Sequence, residues 1–249
     1  MASLLPLASQ LTFGSLGSGI GGADLGLISL GWTLAWQVER DHDKTALLAA
    51  RWPDVPRRRW IEEAATLPSA EIVHVEPQAP EAEYTDPCLA LLAARRPTGV
   101  IIDLASRRAA DPLLIAVGRA LGDLGYRASA ALFRYQTCAI VAGRQHASHV
   151  RNRVVFLATL PPLQAPPDLG AEVRSILFSG VPAWDPALLN VAETALPSDV
   201  LEQVRLLPPG WTAAMPEPAR FSALREATVP HFAALCGAAL LGQIAPENI

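Results

Sequence analysis

An open, mostly parallel α/β sheet is the fold class this chain predicts, on three observations. Apolar runs of strand length alternate with amphipathic segments of helical period, the first run empties into a glycine-rich turn, and the second closes on an acid. The opening stretch "LTFGSLGSGIGGADLGLISLGWTLAWQVERD" holds all three in the order strand, glycine loop, helix, strand, with Glu39 at the end. Gly17, Gly19, Gly21 and Gly22 permit a tight turn and close approach of a ligand, and the helix that follows points backbone N–H groups at it. Glu39 stands where nucleotide-binding folds place a carboxylate on ribose hydroxyls. A glycine turn needed only for close packing is about equally compatible with this stretch.

The later elements continue the alternation. "HDKTALLAARWP" predicts a helix, "AEIVHV" a strand, "CLALLAARR" a helix and "GVIIDL" a strand. "PLLIAVGRALGDLGY" is an amphipathic helix closed by Gly125, and "ASAALFRYQTCAIVAG" and "RVVFLATL" are two further strands that invite antiparallel pairing. After Leu160 the proline-rich "PPLQAPPDLG" is a connector, periodicity is weak as far as Ser198, and "PHFAALCGAALLGQI" closes the chain as a helix.

Composition narrows the class. At 249 residues and 51% hydrophobic content the chain can bury a large core. It has no apolar segment of membrane-spanning length and no leader-like start, so the expectation is a cytoplasmic protein without a membrane partner. Cys88, Cys138 and Cys236 form no CxxC or Cys/His cluster, which argues against a disulfide framework and a metal site. A net charge of −4 gives no global attraction to nucleic acid. Any DNA contact falls to local clusters, Arg57 to Arg59, Arg95 with Arg96, Arg107 with Arg108, and Arg151 with Arg153, each of which is more commonly a solvated surface.

The pieces, in their order, resemble the DNA (cytosine-5) methyltransferases, in particular the phage-type branch, over nearly the whole chain. "SLGSGIGGADLGL" is similar to that family's cofactor loop, SLFSGIGGLDLGL, and "WQVERD" to the motif whose acid holds the cofactor ribose. "RWPDVP", "RRPTGVIIDL" (for RPxxVVxENV), "LGDLGY", "SHVRNRVVFLAT" (for PHRRDRVFIVA) and "LLPPGWT" with "ALREATVP" (for GFPPGWT and ALGNAVVP) follow in register. The resemblance implies an S-adenosylmethionine-dependent methyltransferase, Rossmann-like fold with a reduced second lobe. Residues 1–160 would form the methyltransferase-like domain, 161–198 a reduced target-recognition segment, and 199–249 a C-terminal return to the first domain. It further implies cofactor contacts at Ser18, Gly19, Gly21, Gly22 and Glu39, with Arg151 and Arg153 contacting the target base or its backbone, readings that compete evenly with a plain ion pair at a strand start.

The departures fall on the chemistry. In the family the strand after the third motif meets a Pro-Cys dipeptide and a mobile loop; here "VHVEPQAP" puts Gln78 at the nucleophile's place and leaves only a few residues before the next helix. An amide cannot attack carbon 6 of cytosine as a thiolate does. Cys88, in "DPC", is the candidate for a relocated nucleophile, though the alignment sets it at the start of a helix close to Asp103. Asp103 replaces the base-binding glutamate, Leu104 the asparagine after it, Gly17 the loop phenylalanine and Trp60 the adenine-reading aspartate. Trp60 either stacks on the cofactor's adenine or plugs the site, with the plug slightly preferred. Arg225 and Glu226 replace a Gly-Asn pair beside the cofactor pocket, and His149 precedes the paired arginines. The expectation is therefore a degenerate homologue, without methyl transfer of its own, in which S-adenosylmethionine binding is weakened or lost. It would act on DNA or on a protein partner such as a catalytic methyltransferase or another nucleic-acid enzyme. The competing expectations are a methyltransferase with a relocated nucleophile or one completed by a partner, and a different enzyme reusing the pocket.

Overall fold

The computed structural model describes residues 11–77, 81–104, 112–141, 144–147, 151–168, 174–179 and 196–243. Four strands, β1 (Thr12–Leu16), β2 (Thr33–Val38), β4 (Ile72–Val75) and β5 (Gly99–Leu104), make the parallel centre, with the two-residue β3 (Arg57–Arg58) on β2. β8 (Arg151–Thr159) inserts antiparallel between β5 and β6 (Arg127–Val141), giving the order β3-β2-β1-β4-β5-β8-β6-β7 with β7 (Arg144–Ala147) at the edge. β1, β4 and β5 are almost wholly buried, which is why they read as apolar runs and not as alternating ones.

Alternation reappears in where each side chain packs. Val73, Val75, Val100, Ile102, Val154 and Phe156 face a layer formed by α3 (Glu81–Arg95), α4 (Pro112–Asp123) and a short 3-10 helix at Ile61–Thr66. Ile72, Ile101, Val155 and Leu157 face α1 (Gly22–Ser29) and α7 (Pro230–Leu240). The α1–α7 contact is close because α1 carries glycine where it crosses: a Cβ on Gly22 would lie 2.0 Å from the Thr228 carbonyl oxygen, and one on Gly26 2.1 Å from that of Pro230. A third cluster joins α2 (His42–Arg51) and Ile20 of the glycine loop to α5 (Ser198–Val204), α6 (Ala219–Glu226), Trp211 and Met215.

Two expectations change. The third helix begins at Glu81, not at Cys88, and carries Pro87 inside it. Proline favours a first turn, so the sequence suggested a start that the chain places about two turns earlier. Within the weakly periodic stretch after the connector, β9 (Arg174–Ser179) forms and pairs parallel with Phe133–Cys138 of β6. The short 3-10 helix, α5 and α6 carry too little period to be visible in the sequence.

Candidate functional site

The sheet order reverses between β1 and β4, and the carboxyl ends of β1, β2, β4 and β5 meet there, the usual ligand crevice of an open α/β sheet. A cavity of about 840 Å³ occupies it, a volume in the range of small-molecule sites. The glycine loop forms one wall with Gly17, Ser18, Gly19, Ile20 and Gly22. The loop is braced from behind: the Gly17 and Ser18 N–H groups donate to the Val38 carbonyl at 2.9 and 3.1 Å, and the Trp211 indole N–H to the Ile20 carbonyl at 2.7 Å. Gly19 (φ +57°) has open space where a Cβ would be, so the loop's tip is clear for a ligand. Gly21 lies behind the wall, its φ of +81° turning the chain into α1.

Glu39 sits beneath this loop. It is 1% exposed, and its carboxylate accepts the Gly19 N–H at 2.7 Å and the Asp41 N–H at 2.9 Å. A carboxylate has further lone pairs to offer, but the side chain is not among those lining the cavity. Its neighbours in sequence, Arg40, Asp41 and His42, do line it, as does Lys44. The Asp41 side chain caps α2 through the Lys44 N–H at 2.9 Å. Lys44 pairs with Glu226 at 2.6 Å across the cavity, and Arg151 donates to the Glu226 carbonyl at 3.2 Å. Burial works against the Lys44 charge, yet the Glu226 contact raises its pKa overall. Arg225 stacks over Phe221 instead and is not in the wall. Trp60 is in the wall, half exposed, and leaves the cavity open, which does not support a plug.

Opposite the loop lies a buried ion cluster. Arg153 Nε donates to Asp103 at 2.6 Å and Arg153 Nη2 to Glu76 at 3.0 Å. The Thr228 hydroxyl donates to Glu76 at 2.6 Å. Burial pushes the Glu76 carboxyl up from its ordinary range against the pull of Arg153, while Asp103 and Glu76 together overcome the burial penalty on Arg153 and hold its guanidinium charged. Glu76 and Thr228 were not expected in the site. Glu76 is the residue before Pro77, at the end of β4, and strand-end position was the signal that could have found it.

Of the expected site residues, Ser18, Gly19, Gly22, Arg151 and Arg153 meet at one cavity, whereas Glu39 and Asp103 stand behind its wall. Gln78 and His149 lie outside the described residues. Cys88 does not reach the cavity: it is 3% exposed among Leu91, Leu92 and their neighbours, and burial pushes its thiol far above the ordinary range, which disfavours the thiolate. Cys236 is buried likewise. The described residues hold no cluster of metal-ligating side chains, and none of their helices is long and apolar enough to cross a membrane.

The basic clusters mostly serve the fold. Arg57 donates to Gln37 at 2.7 Å and to the Trp52 carbonyl at 2.6 Å; Arg95 reaches the carbonyls of Ala64, Leu67 and Pro68. Arg107 and Arg108 lie outside the described residues.

Neither a protein-family model nor a curated protein sequence matches the chain. Solved structures do. The S. pombe Dnmt2 methyltransferase is 11% identical with a TM-score of 0.64, over 96% of this chain and 100% of that one. Spodoptera frugiperda DNMT2 is 9% identical with a TM-score of 0.63, over 92% and 99%, and the Entamoeba histolytica methyltransferase EhMeth 11% identical with a TM-score of 0.58, over 95% and 99%. Sheet order, glycine loop and these likenesses agree on the fold: a Rossmann-like, mostly parallel α/β sheet shared with the solved Dnmt2 and EhMeth methyltransferase structures.

Proposed function

We propose that the protein is a cytosine-5 methyltransferase homologue that does not transfer methyl groups by itself and acts as a DNA- or partner-binding, regulatory subunit. The supporting observation is the ion cluster: the Arg153 guanidinium is held by Asp103 and Glu76, so the groups that would grip a target base are spent on one another. The buried thiols of Cys88 and Cys236 add to it, since neither can supply the attack on carbon 6.

The cavity fits S-adenosylmethionine in size and in its open glycine-loop tip. Ser18, Gly19 and Gly22 would shape its seat, Gly21 would turn the chain behind them, Glu39 would brace the loop from below, and the cofactor when bound would supply the methyl group. The seat is weaker than the family's in this reading, because the Glu39 side chain is not among those lining the cavity. The segment 161–198 is a reduced target-recognition region in this reading, and the partner is DNA or a nucleic-acid enzyme.

The test is incubation of the purified protein with isotopically labelled S-adenosylmethionine and duplex DNA, beside calorimetric titration with S-adenosylhomocysteine. We expect no label in DNA and binding weaker than micromolar. Cys88-dependent 5-methylcytosine would overturn the reading in favour of an active enzyme.

A further inference from the structure

The cavity wall at the end of β2 and β3 carries a charge balance that a plain nucleoside would not need. Its acids are committed. Glu226 pairs with Lys44, Glu76 with Arg153, and Asp41 caps α2. Nearby Glu63 accepts the backbone N–H groups of Arg59 and Trp60 at 3.3 and 3.1 Å.

Arg59 has no carboxylate partner among the described residues: its Nε donates to the Arg40 carbonyl at 3.2 Å, and its guanidinium lies 5.2 Å from the centre of the Trp60 ring. That stacking holds a flat, charged fork beside an aromatic face, and both side chains line the cavity with Arg40. Trp60 is 51% exposed, one of two large apolar side chains so exposed among the described residues. Meanwhile the acid that would receive ribose hydroxyls, Glu39, is turned beneath the loop. Where a dinucleotide site has an arginine near this strand end, it receives a phosphate carried on the ribose hydroxyl edge.

We propose that this wall binds a nucleotide, its phosphate on Arg59 and Arg40 and its base against Trp60. The ligand class is a nucleoside monophosphate, free or as one residue of a strand. The proposal rests on the reading that the cavity is kept for a ligand, but not on that ligand being S-adenosylmethionine.

Calorimetry with adenosine 2′(3′)-monophosphate, adenosine, a single-stranded trinucleotide and S-adenosylhomocysteine separates the cases. The monophosphate should bind tighter than adenosine by about tenfold or more, the effect of one charge-assisted contact. The gap should narrow in high salt and vanish in Arg59→Gln, whose side chain is exposed and whose loss leaves the core intact. Trp60→Leu should weaken monophosphate and adenosine alike. A trinucleotide that binds tighter again would place the nucleotide in a strand; equal binding would make it a free one, and either supports the site. Equal affinity for adenosine and its monophosphate, a gap that survives Arg59→Gln, or no binding of either overturns the proposal. S-adenosylhomocysteine binding without a phosphate preference would leave the cofactor reading standing while this one fails; the reverse result would separate them the other way.

Discussion

Arg153 neutralises two carboxylates in a space from which water is largely excluded, with Asp103 2% and Arg153 6% exposed. Removing one member of such a cluster strands the others as buried charge, so Arg153→Met should destabilise the fold by about 3–5 kcal/mol in denaturant unfolding. A loss under about 1 kcal/mol would mean that the cluster is solvated. Two other buried groups give opposite pH signatures. Burial raises Asp24 from 3.8 to about 6, against its hydrogen bond from Gln37 at 2.6 Å. The folded state then binds the proton more tightly than the unfolded one, and Asp24 costs stability as pH rises through that window, by about 3 kcal/mol in all. Burial lowers His74 from 6.5 to about 4, which favours the neutral ring and costs stability as pH falls through 6.5 to 4 by a similar amount, about 3 kcal/mol. Relative to the wild type, Asp24→Asn should therefore gain stability towards pH 7 and His74→Gln towards pH 4, read from chemical denaturation at each pH. Parallel profiles for all three proteins would refute both assignments. Neither shift was legible in the sequence, since Asp24 sits in an ordinary-looking first helical turn and becomes buried only when β2 packs Gln37 against it.

Elements were legible where a local rule decided them. β4 and β5 are apolar runs bounded by polar turns, and the Gly17–Gly22 turn admits few alternatives, so strand, loop and helix follow from the residues. The start of α3 was hidden because Pro87 signals a first turn and the structure overrides it. The α1–α7 crossing shows a local preference and a tertiary demand in direct conflict. At Gly26 helix propensity alone favours alanine by about 1 kcal/mol. Yet the added carbon would lie 2.1 Å from the Pro230 carbonyl oxygen and 3.0 Å from the Ala233 Cβ, and a backbone oxygen cannot swing aside like a side-chain tip. The collision should win: Gly26→Ala is expected to lower stability by about 1–3 kcal/mol, the usual cost of overpacking, in a thermal or denaturant melt. A stabilised variant would show that α7 can shift away from α1.

At the scale of the whole molecule, the order of motifs was readable but the way the chain's end returns to its beginning was not. The glycine loop near residue 20 is held by Trp211, whose indole N–H meets the Ile20 carbonyl at 2.7 Å across 191 positions of sequence. Arg51 of α2 lies 4.5 Å over the same indole ring and donates to the Gly210 carbonyl at 2.7 Å, with Trp52 edge-on at 5.4 Å. "LLPPGWT" suggested a family motif without saying what its tryptophan touches, because a contact this distant has no local period or spacing to reveal it. The geometry separates packing from hydrogen bonding. Trp211→Phe retains much of the apolar contact but leaves the Ile20 carbonyl without its donor, a loss of about 1–2 kcal/mol in global stability. If the Trp211 contact sets the loop, the same variant should also weaken ligand binding at the cavity by several-fold, while Arg51→Gln, which leaves the indole N–H in place, should weaken it less. Equal melting loss in both variants with unchanged affinity in each would show that Trp211 stabilises the fold without positioning the loop.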